Sequence, residues 1–133
     1  MYEYDAKVIR VIDGDTIELE LTKCFNVEID FGFYIKETQQ ILKSTRQHFR
    51  LAGINTPEIY GVSLEEKLKG LAAKDELTRL CAIGKLKAIT LKPDKYGRWL
   101  AELFVELENG VKLNINQKLI ETGFAIAYMT SNT

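Results

Sequence analysis

Residues 6–22 read AKVIRVIDGDTIELELT. Ile17, Leu19 and Leu21 alternate with Glu18, Glu20 and Thr22, a period of two that puts acids on a wet face and aliphatics on a dry one. Before them Val8, Arg10 and Ile12 alternate with Ile9 and Val11. Asp13-Gly14-Asp15-Thr16 separates the two runs. Asp-Gly favours positive φ in a tight turn, so the stretch predicts a β-hairpin.

Outward from that hairpin, Val27, Ile29, Phe31 and Phe33 alternate and predict a further strand over 25–35, with Gly32 as its bulge. Residues 38–54 are polar first and then apolar at Phe49, Leu51 and Ile54, so only their later part reads as a strand. After Pro57 the period changes. Ser63 with Glu66 forms a capping box, and Ala73, Leu77, Leu80 and Cys81 follow helical spacing. Gly70 delays the regular helix and Gly84 stops it. Leu86, Ala88 and Thr90 resume a strand. Trp99, Ala101, Leu103, Val105 and Leu107 alternate strictly and give the clearest strand of all. Glu108-Asn109-Gly110 turns into a partner at 111–113. Asn114 caps a short helix bearing Ile115, Leu119 and Ile120, which ends before Gly123. Strands, helix, strands, helix is the order of a β-rich α+β fold. The expectation is a five-stranded barrel of the oligonucleotide-binding (OB) type with inserted and C-terminal helices, in one domain over residues 1–133.

Composition supports a folded domain and removes several kinds of chemistry. The chain has 133 residues, 46% hydrophobic and 28% charged, with a net charge of −1. That balance is globular, and it argues against a strongly basic coat. No apolar run approaches the roughly 18 residues of a membrane span, so no membrane partner is expected. The N-terminus, MYEYDAKVIR, lacks the basic start and apolar block of a secretory signal, so the expectation is either the cytoplasm or a targeting segment outside this chain. Two cysteines and one histidine cannot complete a four-ligand structural zinc site, and reduced thiols are the expectation. Catalysis would have to use carboxylates, Arg, Lys, Tyr or hydroxyls.

Three clusters offer such groups. Asp13 and Asp15 at a tight turn can hold a hard cation through oxygen, though Asp and Gly also favour turns for their own sake. Arg50-Leu-Ala-Gly-Ile-Asn-Thr-Pro-Glu58 brings an arginine strand into an Asn55-Thr56-Pro57 turn, which otherwise reads as an ordinary capped strand end. Asp94-Lys95-Tyr96-Gly97-Arg98 lies in the most basic local segment, where Lys85, Lys87, Lys92, Lys95 and Arg98 face one acid. It reads either as a solvated loop or as a phosphate clamp.

In order along the chain, IDGDT at 12–16, RLAGINTPE at 50–58, DKYGR at 94–98 and LIETGFAIAY at 119–128 make the sequence resemble the staphylococcal nuclease (thermonuclease-like) family. The resemblance implies a five-stranded OB barrel and metal-dependent hydrolysis of phosphodiester bonds in single-stranded DNA or RNA. It implies Asp15, Asn55 and the Thr56 carbonyl as ligands of a divalent cation, Ca2+ first among them, with Asp13 in support. It implies Glu58 as general base, Arg50 and Arg98 on the scissile phosphate, Lys95 and Tyr96 on a neighbouring phosphate, and Tyr128 near a base. The same family contains non-catalytic modules that bind nucleic acid or protein, and this is the rival reading; retention of Arg50, Glu58 and Arg98 speaks for the enzyme.

The chain departs from the family pattern in two instructive places. Asn55 stands where an aspartate is the family's metal ligand, which removes one negative charge and weakens cation binding. The segment 23–48 is long, and its Lys43, Arg46 and His48 either touch nucleic acid or form a solvated face.

Overall fold

In the computed structural model, which describes residues 2–128, β1 (Tyr2–Asp13) and β2 (Thr16–Asp30) pair antiparallel around the Gly14-Asp15 turn. β2 pairs in turn with β3 (Lys36–Leu51), β1 with β5 (Lys85–Leu91), and β5 with β6 (Leu100–Glu106). A parallel contact between β3 and β6, Arg50 opposite Leu100 and Leu51 opposite Ala101, closes these five strands into a ring. The expected barrel is therefore formed, and the closing contact pairs the two end strands of the ring with each other. β7 (Lys112–Asn114) extends β6. A short pair, β4 (Ile54–Asn55) with β8 (Ile126–Ala127), lies beside the ring.

The interior follows the alternation in the sequence. Ile17, Leu19 and Leu21 of β2 meet Leu86 and Ala88 of β5 and Ala101, Leu103 and Val105 of β6. Two helices plug the ring: α1 (Leu64–Cys81) with Leu77, Leu80 and Cys81, and α2 (Ile115–Glu121) with Ile115 and Leu119. Ser63 and Asn114 cap them as expected, accepting from the N–H groups of Glu66 and Gln117. Asn116 is a buried polar residue in this apolar interior. Its Oδ1 accepts from Leu103 N at 3.1 Å, while its Nδ2 donates to Ala52 O at 2.9 Å and Ala101 O at 3.2 Å. It thereby pins α2 to the junction where β3 and β6 close the ring. Neither cysteine is in a disulfide, and burial pushes the Cys81 thiol up to about 12. Among the described residues no helix is long and apolar enough to cross a membrane.

Several local expectations are corrected. Residues 25–30 are no separate strand but the outer half of β2, and Gly32 sits in the turn to β3 rather than in a bulge. β3 is a strand throughout, polar half included, because it pairs with β2 along its whole length from Thr16↔Arg50 to Asp30↔Lys36. Beyond Thr22 the ribbon pairs with no other strand among the described residues. Trp99 lies just outside β6 and is half exposed.

The glycines differ most. Gly14 does not have positive φ; instead, a Cβ there would stand 2.7 Å from Ala73 Cβ and 2.8 Å from Thr56 Oγ1. Gly70 lies inside α1, which begins at Leu64, and a Cβ on it would meet the carbonyls of Pro57 and Glu58 at 2.7 Å. Gly84 is not the helix stop, since Ala82 is the cap; it makes room for the Glu106 backbone. All three are close-approach positions, where a missing side chain lets one backbone lie against another element.

Candidate functional site

The acidic turn is held against the end of β3. Asp13 Oδ1 accepts from Asp15 N at 3.0 Å, which orders the turn. Asp15 is itself buried. Its Oδ2 accepts from Thr56 N at 3.0 Å, its Oδ1 from Thr16 Oγ1 at 3.2 Å, and its carbonyl from Leu51 N at 2.8 Å. α1 sets this assembly from behind, with Gly70 and Ala73 pressed on the 56–58 turn and on Gly14. Asp13 feels the cost of crowding two acids. Burial first, then its contact with Asp15 and the repulsion between them, raises its pKa from 3.8 to about 6.

Arg50 leans into the same corner. Nη2 donates to Asn55 Oδ1 at 2.8 Å and lies 3.7 Å from Asp15 Oδ2, while Nη1 donates to Ile54 O at 3.1 Å. Its side chain is only 12% exposed. The β4–β8 pair brings the chain back, and Tyr128 N bonds Gly53 O at 2.8 Å. The Tyr128 ring then lies 5.3 Å from the Arg50 guanidinium carbon, a cation–π distance.

The third cluster is organised by an acid that sequence reading passes over as the lone negative charge in a basic run. Asp94 Oδ1 accepts from Tyr96 N at 2.9 Å and Arg98 N at 3.0 Å, and its Oδ2 accepts from Arg98 Nε at 2.7 Å. Burial opposes ionisation of Asp94. The N–H and guanidinium of Arg98, with the N–H of Tyr96, outweigh it and hold the carboxyl below its usual value. The signal was the spacing: an Asp two residues before Tyr96 and four before Arg98, with Gly97 at positive φ, is a side-chain-capped turn. Because Asp94 takes only Nε, both terminal nitrogens of Arg98 are left for a ligand. Tyr96 is exposed, with Lys95 and Arg98 each 5.3 Å from its ring centre.

Ring closure joins the two arginines. Arg50 N donates to Trp99 O at 2.8 Å, and Arg50, Asp94, Arg98 and Tyr128 line one crevice. Asp15, Asn55 and Thr56 therefore share a corner with Arg50, and Arg50 shares a crevice with Arg98 of the neighbouring loop. Glu58 is exposed and, among the described residues, has no hydrogen-bond or ion-pair partner; its carboxylate is free rather than placed on the arginines. Arg46 and His48 are taken up by Glu20 and Glu18 on the outer face of β2–β3, whereas Lys43 stands on the opposite face beside Lys23.

The oxygen donors Asp15 carboxylate, Asn55 amide and Thr56 carbonyl are hard ligands of the kind Ca2+ or Mg2+ takes. The set fits such an ion in kind and is poor in charge: among the described residues no three Asp, Glu, His or Cys side chains converge.

Comparison with known proteins gives one relative and one family. An uncharacterized protein of Methanocaldococcus jannaschii is 28% identical to the chain over 149 aligned positions, which take in 96% of this chain and 61% of that relative. The chain thus spans less than two thirds of that relative's length. A family model described as staphylococcal nuclease homologue matches residues 48–133. The match begins at His48, near the end of β3, and includes RLAGINTPE and DKYGR. With more than half of its length matched, the chain belongs to the staphylococcal nuclease homologue family.

Proposed function

We propose that the protein hydrolyses phosphodiester bonds of single-stranded DNA or RNA at the Arg50–Arg98 crevice, with a divalent cation held beside it. The observation that carries this reading is that Arg50 and Arg98 line one crevice, with Arg50 Nη2 3.7 Å from Asp15 Oδ2. Asp15, Asn55 and Thr56 would hold the cation, with Asp13 in support; when bound, it would supply charge to draw the phosphate in and polarise it.

The chain's own residues carry the rest. Arg98, braced at Nε by Asp94, offers its terminal fork to two phosphate oxygens, and Arg50 meets the same ester from the β3 side. As charge grows on those oxygens, fixed guanidiniums stabilise the transition state more than the ground state. Glu58, unpaired and solvated, takes the proton of the attacking water, directly or through a second water. A bond forms between water oxygen and phosphorus, the ester bond to the leaving oxygen breaks, and that oxygen takes a proton from solvent. Lys95 and Tyr96 hold the adjoining phosphate, and Tyr128 flanks a base.

One observation favours binding without turnover: the charge-poor donor set around Asn55. Single-stranded DNA incubated with Ca2+, with chelator, and with the Glu58→Gln variant separates the two. Cleavage should need the metal and fall on the order of 10²-fold in the variant. Equal product in all three arms rejects the enzyme, and tight binding with no product in any divalent metal selects the binding module.

A further inference from the structure

A second cleft, of about 720 Å³, opens between the ribbon and the ends of β1 and β5. Its walls are aromatic and aliphatic: Tyr2, Tyr4, Phe49 and Trp99 are among them, and no acid lines it. Lys23, Lys43 and Lys92 stand on its rim. Lys23 and Lys43 are direct cross-strand partners, an arrangement in which like charges repel. None of the three has a carboxylate within 4.0 Å among the described residues. Trp99 and Tyr2 are 52% and 65% exposed, so the aromatic faces are open to a ligand. Three unneutralised cations around stacking surfaces, in a chain of net charge −1, match a polyanion that carries flat bases. Trp99 directly follows Arg98, and Lys92 comes two residues before Asp94, so one loop borders both this cleft and the Arg50–Arg98 crevice.

We propose that this cleft is a second binding stretch for single-stranded polynucleotide, in which Trp99 stacks on a base and Lys23, Lys43 and Lys92 grip phosphates beyond the ester held at Arg50 and Arg98. This rests on the crevice being the nucleolytic site for its meaning as a substrate track, yet binding tests it with chelator present and without turnover. Trp99 is the only tryptophan in the chain, so its fluorescence reports occupancy of the cleft directly.

The experiment titrates wild type and the triple variant Lys23→Gln/Lys43→Gln/Lys92→Gln with a dinucleotide and with an oligothymidylate of about 12 nucleotides, in chelator, following Trp99 emission and the anisotropy of labelled oligonucleotide. All three lysines are exposed, and a melting curve checks that the variant is folded. The long ligand should quench Trp99 and bind the variant roughly tenfold more weakly, while dinucleotide binding stays unchanged. Loss of three phosphate contacts should lower the slope of log K against log salt by about 2. Unchanged binding of the long ligand, equal weakening for both ligands, or no change in Trp99 emission would each overturn the proposal. So would sedimentation showing a second copy of the chain seated on this face, released by the lysine changes with oligonucleotide affinity intact. Should no oligonucleotide be cleaved under any condition, the nucleolytic reading falls and these binding outcomes still decide the cleft.

Discussion

Replacing Gly14 by alanine adds one methyl group at the point where the acidic turn, α1 and the 56–58 turn meet. A Cβ there would lie 2.7 Å from Ala73 Cβ, 2.8 Å from Thr56 Oγ1 and 2.9 Å from Thr56 Cβ. Carbon atoms pack best at about 3.5–4.0 Å, so roughly 1 Å of room must be found. None of these neighbours is the loose end of a flexible side chain. Ala73 Cβ is fixed to the helix backbone, and Thr56 is tied through its N–H to Asp15. Overpacking of this kind costs about 1–3 kcal/mol. For a chain of this length each kcal/mol lowers Tm by roughly 3–5 °C, so a fall of about 3–15 °C is expected. Thermal melts of wild type, Gly14→Ala and Gly14→Asn read out the cause. A glycine kept for positive φ would be replaced more gently by asparagine, which tolerates that region. A glycine kept for room must suffer more from the larger residue, so the melting order should be Gly14, then Ala, then Asn. Ala73→Gly in the Gly14→Ala background removes one of the clashes, and the double-mutant cycle should show a favourable coupling of about 0.5 kcal/mol or more. An asparagine variant that melts at or above the alanine variant refutes the argument.

Three further outcomes follow, two from the site and one from the interior. Asp13 keeps its proton to about pH 6 in the folded chain but loses it near 3.8 when unfolded. The folded state therefore binds more protons between those values, and stability falls as pH rises through that window. In chelator, Asp13→Asn should lose this slope and gain on wild type between pH 4 and pH 7; a constant difference in Tm would count against it. Asn55→Asp should tighten calcium binding roughly tenfold by calorimetry, since ligand charge sets affinity; unchanged or weaker binding would remove Asn55 from the donor set. Asn116→Leu strands Leu103 N–H and weakens the carbonyls of Ala52 and Ala101, so urea unfolding should show a loss of about 3 kcal/mol or more, and a loss under 1 kcal/mol would refute the pinning role.

Much of this was legible in the chain. The alternation of Ile17, Leu19 and Leu21, and of Ala101, Leu103 and Val105, named the core-facing residues of two strands, all of them buried. Ser63 and Asn114 announced two helix starts, and their side chains make the expected caps. These signals are local: each depends on φ/ψ preference or on a burial period repeated within a few residues. The polar half of β3 was illegible for the same reason. It has no dry face to impress a period on the sequence, and it is a strand because its backbone pairs with the outer half of β2.

The sequence by itself settled the two helices, the faces of β2 and β6, and the kinds of side chain available for chemistry. It did not say why Gly14, Gly70 and Gly84 are glycines, because a shortage of room is created by an element distant in the chain. Nor did it place Arg50 against Arg98. That depends on the parallel joining of β3 to β6, where Arg50 N reaches Trp99 O. Main-chain hydrogen bonds make that joint, and every residue but proline offers the same donor and acceptor. Only the closed ring therefore decides which side chains become neighbours.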